Sequence, residues 1–126
     1  MRLLIIGSKD WTNYSDVMRQ ITVVLEDMKH DKDVNLTIVH GANRGAEDMV
    51  TEYVGKVQKF MKQKGYSIKE ELFRSSNDKS KSITDYEMIQ SGADLAIVFA
   101  TKDDKRSYYS TKMIEQFNIP LIVIND

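Results

Sequence analysis

Four short apolar runs constrain this chain more than any other feature. They are the run from Arg2 to Ile6 that ends at Gly7, Leu36 to Val39 before His40-Gly41, Leu95 to Phe99, and Leu121 to Ile124. None alternates polar with apolar residues. Such runs fit strands buried on both faces of a parallel sheet. Helical periods lie between them. Val17, Ile21, Val24, Leu25 and Met28 share one face, and Ala46, Met49, Val50, Tyr53, Val57, Phe60 and Met61 share another. A weaker strand is expected from Ser67 to Phe73 after the breaker Gly65, then a polar loop from Arg74 to Lys81. Ser82 with Asp85 three residues on resembles a capping box opening a short helix to about Gln90. A fourth helix is expected between about Ser107 and Phe117. Pro120, the only proline, falls at the start of the last strand, where a missing N–H is tolerated.

The order is therefore β-α-β-α-β-α-β-α-β. Right-handed crossovers then place helices on both faces of the sheet. The expected fold is α/β, a Rossmann-like three-layer sandwich with a mostly parallel five-stranded sheet. With 126 residues there is room for a single domain over 1-126. Lys plus Arg total 18 against 19 for Asp plus Glu, so no global field draws in nucleic acid or an anionic membrane. The chain has no cysteine, which excludes disulfides, thiolate metal ligands and a cysteine nucleophile. Its first apolar run is too short for a signal peptide or a membrane span, so a cytoplasmic protein is expected.

In such sheets ligands bind beyond the carboxyl ends of the strands, where strand order reverses. Three loops qualify. In the second, His40-Gly41-Ala42-Asn43-Arg44-Gly45-Ala46, two glycines flank a strand-to-helix turn, a geometry that favours phosphate or carboxylate at a helix N-terminus. Arg44 adds a fork of donors for the same anion. The plainer reading is a tight turn with Arg44 capping a neighbour. Neither a Walker loop nor the three-glycine dinucleotide fingerprint is present.

The first loop gathers Gly7, Ser8, Lys9, Asp10 and Trp11. Ser8 can donate to a phosphate or hydroxyl and Lys9 adds charge. Trp11 is either a stacking surface or a core anchor, with Asp10 or Thr12 capping the first helix. The third loop runs from Ala100 to Arg106. His40 is read as a structural imidazole in preference to a ligand or base. The two histidines, with no carboxylates at metal spacing, make a metal site an unpromising reading. Lys56, Lys59, Lys62 and Lys64 read as a solvated face in preference to a nucleic-acid patch, because no aromatic residues interleave with them.

Three segments taken together carry a family resemblance. They are Gly7-Ser8-Lys9-Asp10-Trp11, Val39-His40-Gly41-Ala42-Asn43-Arg44-Gly45-Ala46-Glu47, and Glu87-Met88 followed by Gly92-Ala93-Asp94-Leu95-Ala96-Ile97-Val98-Phe99. In order, they resemble the SLOG superfamily of Rossmann-like nucleotide-derivative binders, closest to its YspA-type (YAcAr) branch. The resemblance implies a site for a nucleotide, nucleotide sugar or ADP-ribose-like ligand. Gly7, Ser8, the loop from Gly41 to Gly45 and the start of the fourth helix would build it. The more distant LOG-type phosphoribohydrolases carry a glycine-rich loop with a catalytic glutamate after the fourth strand. Here that stretch holds no glycine, and Glu115 is displaced by one residue, about 100° around a helix. Ser110 and Thr111 are the candidates left to bind phosphate there, with Ser107 and Lys105 or Arg106 nearby.

The leading expectation is a binding protein, a sensor or sequestering protein for a small-molecule nucleotide derivative, with no cofactor of its own. The enzymatic alternative is N-glycosidic hydrolysis or deoxyribosyl transfer, with Glu47 and Glu87 as first candidates among Glu47, Asp10, Asp85 and Glu87. A single-stranded DNA-binding module is a third possibility, disfavoured by the balanced charge. The resemblance and the small size together lead us to expect a homo-oligomer.

Overall fold

The computed structural model describes residues 1–74 and 81–126, with the side chains of residues 81 and 82 left aside. The stretch read as a polar loop and the Ser82 side chain of the capping box lie largely outside these residues. The elements are β1 (Arg2–Gly7), α1 (Tyr14–Asp31), β2 (Asn35–His40), α2 (Ala46–Gln63), β3 (Ser67–Leu72), α3 (Lys81–Gln90), β4 (Leu95–Ala100), α4 (Lys105–Gln116) and β5 (Leu121–Asn125). Every strand pair is parallel and the order is β3-β2-β1-β4-β5, a Rossmann-like sheet. Chain order runs outward from β1 to β3 on one side and from β4 to β5 on the other. The reversal falls between β1 and β4.

The period of two in β1 and β4 explains why continuous apolar runs were required. Leu3, Ile5, Ile97 and Phe99 pack with Val17, Ile21, Val50 and Val54 under α1 and α2. Leu4, Ile6, Ala96 and Val98 pack with Met88, Ile89 and Ile114 under α3 and α4. Each strand thus feeds two cores, and a polar residue on either face would stand unpaired in apolar surroundings. β5 closes one edge of the sheet, where Ile122 and Val123 stay partly exposed.

Helix ends differ from expectation in two places. Asn13, rather than Asp10 or Thr12, caps α1 by accepting from the Asp16 N–H at 3.1 Å. Asp104 caps α4 and starts it two residues earlier than expected, because its carboxylate accepts from both the backbone N–H and the hydroxyl of Ser107. In α2, Phe60 leaves the apolar face. It is 56% exposed with the Lys64 ammonium over its ring at 4.7 Å.

Candidate functional site

The β2–α2 junction has the expected glycines, and the chain's own groups crowd its helix start. Gly45 adopts φ 90°, and a Cβ there would meet the Ser8 carbonyl oxygen at 2.3 Å. The start of α2 is thereby pressed against the β1–α1 loop, and the Ala46 N–H points to the Ser8 carbonyl at 3.4 Å. The anion is supplied by the chain itself. Glu47, fully buried, accepts at Oε1 from the Gly41 N–H (2.7 Å) and Asn43 Nδ2 (3.0 Å), and at Oε2 from the Gly7 N–H (3.2 Å) and Arg106 Nη1 (3.0 Å).

Arg106 reaches this point from the first turn of α4. Its Nε and Nη2 fork onto both oxygens of buried Asp85 at 2.8 and 2.9 Å, and Nη1 also donates to the Gly7 carbonyl. Burial alone would lower the affinity of the guanidinium for its proton. The hydrogen bonds and charges of Asp85 and Glu47 outweigh that and hold its pKa above the ordinary value. Arg106 therefore stays charged, and its bonds to Glu47 and Asp85 pin α2, α3 and α4 to the carboxyl ends of β1 and β2. An unpaired charge in that place would cost several kcal/mol, so the contacts of Glu47 and Arg106 hold the framework together. Arg106, a nearby candidate for phosphate, spends Nε, Nη1 and Nη2 on these internal partners.

Other expected residues are also committed to the fold. Trp11 is buried, lies 5.3 Å from the Phe99 ring and donates from Nε1 to the Asn13 carbonyl, so it is the core anchor. His40 is fully buried. Its Nδ1 accepts from the Ala42 N–H at 3.0 Å, which places the proton on Nε2, facing Glu70 Oε2. Thr51 donates to the same oxygen of Glu70. Ser110 is buried within α4, beyond its first turn, while Thr111 lines a cavity beside β5. Arg44 is exposed, engages no described partner and lines no cavity described here.

What the structure does bring together is the crevice at the reversal point. Ser8, Lys9, Asp10, Thr101, Lys102, Asp103, Asp104, Lys105 and Arg106 line a cavity of about 380 Å³ between the loops after β1 and β4. The Ser8 and Thr101 hydroxyls bond each other at 2.7 Å, and Ser8 Oγ also accepts from the Asp10 N–H. Lys9, Lys102 and Lys105 are exposed, and among the described residues none pairs with them. The Asp104 carboxylate is spent on its cap, while Asp10 and Asp103 stand at the rim without a described partner. Asp103 sits in left-handed backbone at φ 65°, within a turn closed by the Asp104 N–H and the Thr101 carbonyl at 3.2 Å.

Free ammonium groups suit a phosphate, and free carboxylates accept from sugar hydroxyls. Thr101 and Asp103 fall in the third loop, Ala100 to Arg106, which the strand-order rule marks as a whole without singling them out. Glu87 lies on α3 and does not line the crevice. The lysines of α2 lie toward the opposite end of the sheet. Lys56 pairs with Glu52 at 3.3 Å, and Lys59 and Lys62 are exposed beside a groove that Tyr66 and Lys69 also line.

Fold and crevice define an α/β protein with a Rossmann-like parallel sheet and a polar cavity at its topological switch point. No family model matches the chain. It is similar to the Gene 61 protein of Mycobacterium phage D29, with 27% identity over 129 residues, covering 99% of this chain and 97% of that protein. Among the described residues no helix is long and apolar enough to cross a membrane.

Proposed function

We propose that the chain binds a small phosphorylated, sugar-bearing molecule of the nucleotide-derivative class in the β1–β4 crevice, as a sensor or sequestering protein. The observation that carries this reading is that one crevice at the switch point holds unengaged cations, Lys9, Lys102 and Lys105, together with unengaged rim carboxylates, Asp10 and Asp103. The resemblance to SLOG proteins supports the same ligand class. Binding is preferred to N-glycosidic hydrolysis because Glu47 spends both oxygens on four donors and Glu87 is absent from the crevice lining.

Calorimetric titration with ADP-ribose, cyclic nucleotides and nucleoside monophosphates tests the reading. Saturable binding of one of them below millimolar concentration is expected, and no heat of binding with any of them overturns it. Self-association is part of the proposal, since Met18 on α1 and Ile122 on the edge strand expose apolar surface that a second copy would cover. Sedimentation equilibrium reads it directly.

A further inference from the structure

A second and larger cavity, of about 580 Å³, lies between α4 and the edge strand β5. It shares the segment from Thr101 to Lys105 with the crevice, so that one loop forms a wall of both. Its other lining differs in chemistry. Tyr108 and Tyr109 contribute rings 60% and 65% exposed, with centroids 5.6 Å apart and planes 75° to each other. Val123 adds an apolar side chain from β5 and Asn125 an amide from the end of the same strand.

We propose that this cavity is the subsite for the planar heterocycle of the ligand whose phosphate occupies the crevice. The inference rests on the reading given under Proposed function and narrows it to ligands that carry a base. The Lys112 ammonium lies over the Tyr108 ring at 5.6 Å, and the remaining exposed aromatic surface of the pair borders the polar cavity, where a flat apolar group can cover it. Near-perpendicular rings offer a face for stacking and an edge beside it. A base presents both a π-face and polar atoms on its rim, and the Asn125 amide has the donor and acceptor to meet that rim. Lys102 and Lys105, which line both cavities, sit where the phosphate-bearing and base-bearing parts of one molecule would join. A sugar phosphate without a base would fill the crevice alone.

The test compares nucleoside 5′-monophosphates with ribose 5-phosphate, which has the sugar and phosphate but no base. The wild-type protein should bind a monophosphate roughly 5- to 150-fold more tightly, the range that stacking on aromatic side chains supplies. A Tyr108→Ala/Tyr109→Ala variant should lose that margin while keeping its affinity for ribose 5-phosphate, and Tyr108→Phe/Tyr109→Phe should restore it. Both tyrosines are exposed, so the variants are expected to fold, and circular dichroism checks that. Equal binding of the two ligands by the wild-type protein, or a margin that survives in the alanine variant, overturns the subsite and leaves the crevice reading standing. Failure of both ligands, and of ADP-ribose and cyclic nucleotides, to bind the wild-type protein overturns the crevice reading itself. A change of sedimentation coefficient in the alanine variant would show that a second copy of the chain covers the tyrosines, and would overturn the subsite as well.

Discussion

The β2–α2 and β4–α4 junctions flank the end of β1 at the carboxyl end of the sheet, and they divide the work opposite to the way their sequences advertise it. The first has the glycines, the arginine and the uncapped helix start of an anion site. It is closed, because Glu47 occupies the place of the anion and the Ser8 carbonyl covers the helix start. The second has no glycine and a self-capped helix. It is open, because its lysines find no described partners. An anion-binding geometry is therefore no sign of a ligand until the chain's own carboxylates have been accounted for.

The comparison can be broken most forcefully at Arg106. Replacing it with alanine leaves Glu47 and Asp85 buried without their counter-charge, and a loss of roughly 3–5 kcal/mol in urea unfolding is expected. A loss below about 1 kcal/mol would mean that the closed junction does not depend on the triad. Gly45→Ala comes next, at roughly 2–4 kcal/mol, since the new methyl group meets the Ser8 carbonyl oxygen in backbone that side chains rarely adopt. Indifference to it would show that α2 is not seated on the first loop. The smallest effect is expected in the open junction. Asp103→Gly should gain about 0.5–1 kcal/mol by relieving left-handed backbone at φ 65°. A loss of stability would show that the Asp103 side chain supports the turn.

Much of the fold was legible because burial on both faces leaves a plain mark, the continuous apolar run, and because helix periodicity marks the covering faces. β1, β2, β4 and β5 lie within a residue of the four apolar runs, while β3 and α3, which carry neither mark, are placed from the breaker Gly65 and a capping-box pattern. The site was less legible. Ser8, Lys9 and Asp10 line the crevice, a placement that follows from their position after a central strand. Trp11 and Arg106 show the limit. An aromatic side chain or a cation beside a strand end can turn into the core or out to solvent, and the choice depends on Phe99, Asp85 and Glu47, which are distant in sequence. Asp104 and Ser107 left a local cap signature, Asp-x-x-Ser, that the apolar pattern of α4 did not reveal.

The most direct measurement is the affinity of a nucleoside monophosphate for two variants of otherwise unchanged protein, Lys102→Ala/Lys105→Ala and Arg44→Ala. Charged hydrogen bonds to a phosphate carry enough energy that the lysine variant should bind at least about tenfold more weakly. Arg44→Ala should bind as the parent does, because Arg44 lies on the closed junction and outside the crevice lining. Loss of binding with Arg44→Ala and retention with the lysine variant would contradict the account and return the anion site to the β2–α2 loop.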